Sequence, residues 1–351
     1  MRLLIITQKV DKEDSILGFM HNWILELSKK FEKITVICLE KREFDLPQNI
    51  KIYSLGKESG KARIKYIKNF FNLILGLHKE YDSVFVHMNQ EYVLLGGFLW
   101  KILRKKIYFW RNHQLGNLFT RIAVWFSNKV FCTSKFAFVA KYEKTILMPV
   151  GIDTGVFNPE SRIQNLESRK RSILFLSRMD PIKRPDLLIE ALNILNKKNV
   201  DFVCDFYGNP TVGGEDYYNY LKTKVEELGL ADKINFCNGV ANHETPKIYK
   251  EHDIFVNLTP SGSFDKTILE AVVCGCLLVV ANKSLVGEID DRMIAKNETV
   301  AEIAQKIESL LDIGNEERFV LSASLQKYVL EKHSLSVLIE KLVKEIQNVQ
   351  K

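Results

Sequence analysis

The stretch SILFLSRMDPIKRPDLLIEALNILN, residues 172–196, contains a complete structural unit of one fold class. Its first five residues are short and apolar, which is typical of a buried parallel strand. A loop that contains Arg178 and Lys183 follows, and from Pro185 onward the apolar residues recur at helical spacing. The stretch therefore predicts a strand, a loop and a helix in succession, as in α/β folds with a parallel sheet.

The same rhythm extends in both directions from this stretch. Further strands are predicted at residues 3–7, 34–39, 83–87, 106–110, 130–132, 145–148, 203–207, 234–236, 254–258 and 277–281. Helices are predicted at residues 20–31, 217–228, 267–274 and 334–349. A polar segment without periodicity, residues 158–171, separates two such series. We therefore expect two doubly wound α/β domains, 1–160 and 161–333, with a carboxyl-terminal helix (about 334–351) that packs back on the first.

Length and composition exclude several protein classes. The 351 residues are 46% hydrophobic and 26% charged, with 18 Gly and 8 Pro, which excludes collagenous and disordered chains. The six cysteines are scattered without CxxC spacing and are interpreted as reduced, buried thiols. No apolar run approaches the ~20 residues of a membrane span. We expect a cytoplasmic protein, with attachment to the inner face of the cell membrane left open.

The two halves of the chain differ in charge. Residues 1–150 contain 25 Lys and Arg against 13 Asp and Glu, whereas the remainder contains 25 against 30. Such an excess favours an anionic partner, which could be nucleic acid, an acidic lipid headgroup or a phosphate-bearing substrate. Nucleic acid is the weakest of the three because no recognised binding module is present.

Three loops after predicted strands carry candidate phosphate-binding groups. Arg178 and Lys183 can clasp a diphosphate, the first as a fork and the second as a point charge. Residues 259–271, TPSGSFDKTILEA, pass from a small-residue loop into a helix whose amino end would attract an anion. Glu270, one turn into that helix, can accept both hydroxyls of a ribose. Gly208 and Asn209 form a third loop where backbone can approach a ligand.

Each of these loops also has a plain structural interpretation, as a solvated basic loop or as a turn that caps a core helix. Together they supply two cations, a helix amino terminus and a diol-binding carboxylate, which are the parts needed to bind a nucleoside diphosphate. The chain has no G-x-x-x-x-G-K-[ST] motif, which argues against a P-loop ATPase. It also lacks G-x-G-x-x-G after the first strand, which disfavours a dinucleotide-dependent dehydrogenase.

These motifs in combination resemble one family. The segments MPVGID (148–153), SR (177–178) with Lys183, LEA (269–271) and CG (274–275) are similar to the retaining glycosyltransferases of the "glycosyl transferases group 1" family. The resemblance covers about residues 145–285. It implies the GT-B fold, in which two Rossmann-like domains face each other across a cleft, and transfer of a sugar from a nucleotide diphosphate.

The resemblance also implies roles for individual residues. Arg178, Lys183, His113 and Asp265 would be catalytic. The UDP- or GDP-linked donor would be bound by Gly18, Arg178, Lys183, Gly208, Asn209, Val240, Ser263, Phe264, Asp265, Lys266, Thr267 and Glu270. Where family members place a second Glu, eight residues before Glu270, this chain has Gly262; Asp265 or backbone amides are expected to replace that contact. His87 is interpreted as structural.

The expected reaction is hexosyl transfer with retention, without a metal ion. No Asp-x-Asp occurs on these loops, so Arg178, Lys183 and the helix terminus would stabilise the leaving diphosphate. The acceptor would be a lipid-linked glycan or an envelope polysaccharide. Two other functions stay open: a non-hydrolysing nucleotide-sugar epimerase, and a catalytically silent subunit that binds a nucleotide sugar or a partner.

The basic amino-terminal half contains a candidate membrane-binding element. Residues 61–80 predict an amphipathic helix with Ile64, Ile67, Phe71, Ile74 and Leu77 on one face. Lys61, Lys65 and Lys68 lie on another face, and a second basic run, 101–106, lies beside the aromatic residues 108–110. Basic helices with aromatic flanks are typical of membrane-surface enzymes. The alternative interpretation is an ordinary domain helix with its apolar face in the core.

Overall fold

The computed structural model describes residues 1–60, 62–158, 171–262 and 264–348. These residues form two compact units. Unit 1 consists of Met1–Gly151 and the segment that begins at Leu335, and unit 2 is Ile152–Ser334. The predicted domain boundary at residues 160 and 161, and nearly all of the predicted linker, lie outside the described residues, so the domain limits stay a prediction.

Unit 1 is built on a seven-stranded parallel sheet with the order β3-β2-β1-β4-β5-β6-β7. The strands are β1 (Arg2–Val10), β2 (Lys33–Lys41), β3 (Ile50–Ser54), β4 (Ser83–His87), β5 (Lys106–Trp110), β6 (Lys129–Cys132) and β7 (Thr145–Leu147). The helices are α1 (Phe19–Ser28), α2 (Arg63–Gly76), α3 (Gln90–Ile102) and α4 (Leu118–Phe126). The order reverses between β1 and β4, which makes the sheet doubly wound.

Unit 2 repeats the arrangement with a five-stranded parallel sheet, β10-β9-β8-β11-β12. The strands are β8 (Ser172–Leu176), β9 (Val203–Tyr207), β10 (Ile234–Cys237), β11 (Ile254–Asn257) and β12 (Leu277–Val280). The helices are α5 (Pro185–Lys197), α6 (Glu215–Glu227), α7 (Thr245–Lys250), α8 (Lys266–Val273), α9 (Val300–Leu311) and α10 (Asn315–His333). Here the order reverses between β8 and β11. The predicted α/β class with two Rossmann-like parallel sheets is therefore confirmed.

The chain returns to unit 1 after α10. Helix α11 (Leu335–Gln347) packs against α1, and its buried face contributes to the same apolar cluster as Trp23. The hydroxyl of Tyr108 on β5 donates a hydrogen bond to the carbonyl oxygen of Ile346, at 2.7 Å. Since this face is apolar at helical spacing, α11 completes the core of unit 1 on one side of the sheet.

The buried face of α2 differs from the predicted one. Phe70 and Ile74 are buried, whereas Ile64 is 80% and Ile67 is 42% exposed. The difference arises because Phe70 is the residue that is fully buried in the core, where its ring lies edge-on to Trp100 with centroids 6.0 Å apart, whereas Phe71 is only partly buried against the same cluster. The predicted apolar face is therefore wrong at its first two positions, and Lys61 lies outside the described residues.

Two further expectations need correction. The aromatic residues 108–110, predicted to flank a basic membrane-binding run, are fully or almost fully buried in β5. A strand in the middle of a doubly wound sheet is covered on both faces, so these rings are core residues. Strand β3 and helix α10 were not predicted: β3 is short with alternating polar residues, and α10 has no single apolar stripe.

Candidate functional site

The candidate site of unit 2 lies on loops at the carboxyl ends of its strands. Strands β8 and β11 are neighbours at the point where the strand order reverses. The loop after β8 carries Arg178 and Lys183, and the loop after β11 leads into α8. In open parallel sheets ligands bind at this topological switch point. The two loops predicted to bind phosphate therefore meet at the ligand-binding edge of the sheet.

Hydrogen bonds fix the loops after β8, β9 and β10 to one another. The backbone N–H of Ser177 donates to Tyr207 at 3.0 Å, and that of Met179 donates to Asn209 at 3.0 Å. The side-chain oxygen of Asn209 accepts from the N–H of Gly239, also at 3.0 Å. Arg178, whose side chain is exposed, thus lies between two residues with fixed backbones. Asn209 therefore connects the loops after β8 and β10 through hydrogen bonds, which could not be predicted from its position in the sequence.

Gly208 is required by this close approach. Its φ is +153°, and a Cβ atom at this position would lie 1.8 Å from the carbonyl oxygen of Ser177. No side chain can be accommodated at that distance without displacement of a backbone. The predicted role of Gly208, close backbone approach, applies to a neighbouring loop; contact with a donor stays a prediction.

Lys183 and Asp265 form an ion pair between the two principal loops. Lys183 Nζ lies 2.6 Å from Asp265 Oδ2. The same carboxylate oxygen accepts a hydrogen bond from the Thr259 hydroxyl at 2.8 Å and from the Asn257 side-chain amide at 3.1 Å. Burial acts to raise the pKa of Asp265, but the Lys183 ammonium and these hydrogen bonds outweigh burial and hold that pKa below its usual value. The carboxylate is therefore charged and fixes the position of the ammonium.

Glu270 and Lys266 lie one turn apart on α8. Glu270 is buried, and its two oxygens lie 3.5 Å from the Asn242 side-chain amide and 3.3 Å from the Tyr249 hydroxyl. Burial raises the pKa of Glu270, and it lowers the pKa of Lys266 to about 7. The opposite charges of the two side chains act against these shifts. Glu270 is thus a carboxylate whose hydrogen-bonding capacity is only weakly used.

The amino end of α8 combines backbone donors with a buried hydroxyl. The side-chain oxygen of Thr267 is buried, and among the described residues it has no hydrogen-bond partner. Phe264 is buried just before the helix, its ring 6.1 Å from that of His333. Ser263, predicted to bind the donor, lies outside the described residues. A helix amino terminus with an unsatisfied hydroxyl is chemically suited to an anion.

Gly262 occupies the position where a second Glu was expected from the resemblance. Its φ is +125°, a left-handed conformation that glycine adopts freely and that strains other residues. The loop backbone therefore accounts for the glycine, and a glutamate here would require a different loop path. Asp265, proposed above as a replacement, directs one carboxylate oxygen to Lys183, Thr259 and Asn257.

His113 and Gly18 belong to unit 1. His113 is exposed in the loop after β5, and its Nδ1 lies 3.0 Å from both the backbone nitrogen and the carbonyl oxygen of Leu115. Gly18 precedes α1 with φ −53°, and a Cβ atom there would lie 2.6 Å from the carbonyl oxygen of Asp14. His87 is buried, with its ring centroid 5.7 Å from that of Trp23 and 6.3 Å from that of Trp110.

Some residues of the site were not anticipated from the sequence. Asn257 and Thr259 hold Asp265, and Asn242 and Tyr249 contact Glu270. Asn257 and Thr259 stand at and just after the end of a strand, which was an available signal. Asn242 and Tyr249 come from an adjacent helical turn and α7, and only the tertiary structure brings them to Glu270. Val240, predicted to bind the donor, lies in the loop after β10 and is partly buried; its contact with a donor stays a prediction.

Neither a metal-binding cluster nor a membrane-spanning helix occurs in the part of the chain that the structure describes. Within it, no group of three or more His, Cys, Asp or Glu side chains is arranged to hold a metal ion. None of the six cysteines is in a disulfide, and all but Cys237 are buried. Across the described residues, no helix has the length and apolar character required to span a bilayer. Independence from metal ions stays a prediction.

Part of the chain is similar to known proteins of one family. Residues 157–324 match the model of the family "Glycosyl transferases group 1". Among curated proteins, a D-inositol 3-phosphate glycosyltransferase from Stackebrandtia nassauensis is 29% identical over 40% of this chain and 33% of its own length. Mannosylfructose-phosphate synthase from Agrobacterium fabrum is 31% identical over 38% of this chain and 32% of its own length. The chain thus matches about a third of the length of these relatives.

Solved structures resemble the fold over its whole length. Anabaena HepE in complex with UDP and glucose superposes with a TM-score of 0.77 at 16% identity, over 99% of both chains. Sucrose-phosphate synthase from Thermosynechococcus elongatus gives a TM-score of 0.78 at 14% identity, over 100% of this chain and 99% of that one. At these identities the likeness concerns the fold. It shows that the chain has the GT-B fold, and residues 157–324 are similar to the glycosyl transferases group 1 family.

Proposed function

We propose that the chain is a retaining glycosyltransferase that moves a hexosyl group from a nucleotide diphosphate to a hydroxyl of a glycan. The observation that carries the proposal is the Lys183 ammonium, held 2.6 Å from Asp265 beside the amino end of α8. The buried Thr267 hydroxyl lies in the first turn of that helix. The ammonium, the helix terminus and the hydroxyl are the groups that would bind a diphosphate.

Glu270 supports a nucleoside as the group attached to that diphosphate. It is buried one turn into α8, and its two hydrogen-bond donors lie at 3.3 and 3.5 Å, so the carboxylate keeps acceptor capacity. The 2′- and 3′-hydroxyls of a ribose are suitable donors. The Anabaena HepE structures hold UDP, UDP-glucose, or UDP with glucose, which makes UDP the first nucleotide to test.

The proposed reaction uses the two cations of the loop after β8, Arg178 and Lys183, to stabilise the leaving diphosphate. The bond between the anomeric carbon and the diphosphate oxygen breaks, and the negative charge that develops on the diphosphate is stabilised by Arg178 and Lys183. The acceptor hydroxyl then attacks the same face of the oxocarbenium-like sugar, and its proton passes to the leaving diphosphate. With these two cations and the α8 terminus in place, we expect turnover to persist after divalent ions are removed by chelation.

The acceptor is proposed to be a lipid-linked or envelope glycan. A phosphorylated small polyol is a second candidate, because two relatives in sequence are named for D-inositol 3-phosphate and mannosylfructose phosphate. Both candidates are anionic. The first 150 residues contain 25 basic and 13 acidic residues, and this positive charge favours an anionic acceptor. A panel with one acceptor of each kind separates them by where the radiolabelled sugar is found.

Thermal unfolding in the presence of UDP, GDP, ADP and their sugar conjugates tests donor binding. At 100 times its dissociation constant a ligand should stabilise the protein by about 2.7 kcal/mol. We expect UDP and its conjugates to raise the unfolding temperature. In Glu270→Gln the affinity for UDP should fall by about tenfold or more, because a hydrogen-bonded charge is lost, and the thermal shift should be smaller. Glu226→Gln, an exposed residue of α6, is the control and should respond as the unmodified chain does.

Two outcomes would replace the proposal. Isomerised free donor, formed without acceptor, would indicate an epimerase. Tight nucleotide binding with neither transfer nor slow donor hydrolysis would indicate a silent binding subunit; Gly262, in place of the expected Glu, is the feature that favours it. No response to any nucleotide would contradict the donor site itself.

A further inference from the structure

Two neighbouring helices of unit 1 expose an unusual set of large apolar side chains. We refer to Phe98 and Ile102 of α3 and Leu118, Phe119 and Trp125 of α4 as the α3–α4 surface. Each of the five side chains is between 57% and 71% exposed. A single exposed apolar residue needs no explanation, but an exposed cluster marks an interaction site.

The geometry of the helices places these side chains together. Gly97 of α3 packs closely on α4, since a Cβ atom there would lie 2.7 Å from Cγ of Phe126. Phe98 and Ile102 are four residues apart and lie on one face of α3, and Leu118 and Trp125 are seven apart on one face of α4. The buried residues of α4 are Ala123 and Val124, which belong to the core, and Thr120, whose hydroxyl donates to the side-chain oxygen of Gln90 on α3 at 2.7 Å. The outward face of the helix pair therefore carries the exposed apolar side chains, with Lys101 and Arg121 beside them.

The charge around the α3–α4 surface is mainly positive. Residues 90–144 contain ten Lys and Arg and two acidic residues, Glu91 and Glu143. Lys101 and Arg104 are exposed at the carboxyl end of α3, and Arg121 is exposed on α4. The pKa of Lys144 is lowered, first by burial and second by repulsion from the charge of Lys101. The apolar cluster is thus bordered by cations.

We propose that the α3–α4 surface binds an anionic lipid bilayer. Phe98, Ile102 and Trp125 would enter the boundary between headgroups and acyl chains, and the basic border would contact the lipid phosphates. Charge complementarity argues for this occupant, because a second copy of the chain would place like charges opposite one another. The inference rests on the proposed function in one respect, which is that a lipid-linked acceptor would lie in the bilayer. Binding of the protein to the bilayer does not require turnover.

Trp125 provides a direct measurement in the intact chain. The other three tryptophans, Trp23, Trp100 and Trp110, are at most 2% exposed, so Trp125 is the one that a quencher in water reaches. With vesicles of phosphatidylcholine and phosphatidylglycerol we expect the emission to shift to shorter wavelength and quenching by acrylamide to fall. Vesicles of phosphatidylcholine alone should produce a much smaller effect because the electrostatic contribution is lost.

Substitutions separate the apolar and charged contributions, with co-sedimentation as the readout. Phe98→Ser combined with Ile102→Ser, and separately Lys101→Glu combined with Arg104→Glu, should each weaken binding to the anionic vesicles by about tenfold or more. Phe319→Ser in unit 2, which removes a side chain 74% exposed, is the matched control and should bind normally. An unchanged thermal response to UDP would show that each variant is folded and would keep this test separate from that of the proposed function.

Several results would overturn the proposal. Equal binding to neutral and anionic vesicles, or normal binding by both double variants, would exclude this surface as the bilayer contact. Absence of vesicle binding together with a concentration-dependent dimer that the serine variant abolishes would assign the surface to a second copy. Binding of single-stranded nucleic acid but not of vesicles would assign it to that class of partner.

Discussion

Asp265 places a negative charge beside the cation proposed to bind a diphosphate. Its Oδ2 atom accepts from Lys183, Thr259 and Asn257, so the ammonium is fixed in position before any ligand arrives. The same charge repels phosphate. A donor must therefore share Lys183 with Asp265, and the two effects of the carboxylate, positioning and repulsion, act on turnover and on binding in opposite directions.

Substitution of the two partners should separate these effects. Lys183→Ala is expected to weaken UDP binding and to lower kcat by about 10²–10³-fold, as loss of a group that stabilises a developing anion does. Asp265→Asn keeps an oxygen acceptor and removes the charge. It should bind UDP at least as tightly as the unmodified chain but turn over more slowly, because Lys183 is no longer held by a charge.

The measurement is a comparison of UDP affinity by calorimetry with steady-state kcat and KM. Asp232→Asn, an exposed carboxylate of unit 2, is the matched control. Weaker UDP binding in Asp265→Asn would contradict the repulsion argument, and a normal kcat would contradict positioning.

For individual residues, the sequence was sufficient to propose the charged groups of the site but not the hydrogen bonds that position them. Arg178, Lys183 and Glu270 could be proposed because they follow parallel strands, at whose carboxyl ends ligands bind, and because together they supply the groups that a nucleoside diphosphate requires. The sharing of Asp265 Oδ2 by three donors depends on distances between loops, which no spacing encodes. The positive φ of Gly262 is likewise a property of the loop path, and so a missing glutamate could be noticed from sequence but not explained.

Among the elements, the loops after β8 and β9 are held at a distance that only glycine allows. Gly208→Ala would bring a Cβ atom within 1.8 Å of the Ser177 carbonyl oxygen at a φ of +153°. We expect the free energy of unfolding to fall by about 2 kcal/mol or more. UDP affinity should fall as well, because the backbone on either side of Arg178 shifts. Thermal and urea unfolding with and without UDP measure both effects.

Gly229→Ala is a matched control for that substitution. Gly229 also has a positive φ, +65°, but a Cβ atom there would meet nothing within 4 Å. It should cost only the left-handed backbone strain, about 1 kcal/mol, and leave UDP binding unchanged. Equal effects of the two substitutions would show that backbone strain, and not the approach to Ser177, is what Gly208 relieves.

Elements with one dominant period were predictable, and those that depend on neighbours were not. Strands such as β4 and β8 are apolar runs that cannot be solvated, so their existence follows from composition. The face of α2 was misassigned because Phe70 and Phe71 fit the helical period about equally well. Contact with Trp100 decides between them. Strand β3 has partly exposed residues and depends on pairing with β2.

For the whole molecule, unit 1 is assembled from two separated stretches of chain. Leu338 of α11 is fully buried in the same cluster as Trp23 and Leu27. Leu338→Ala should lower the free energy of unfolding by about 2–5 kcal/mol, the usual cost of such a cavity. Hydrogen exchange should increase in peptides of α1 and β1 and stay unchanged around β8. Glu340→Ala, exposed on the same helix, is the control and should change neither.

The position of α11 also has a consequence for the order of events during translation. The ribosome makes the strands of unit 1 first, then the 183 residues of unit 2, and only then the helix that closes the amino-terminal core. Until α11 emerges, the core that α1 forms with the sheet lacks the residues of α11 that complete it. The nascent chain therefore exposes part of this core throughout the synthesis of unit 2, and unit 1 can become fully native only after unit 2 has been made.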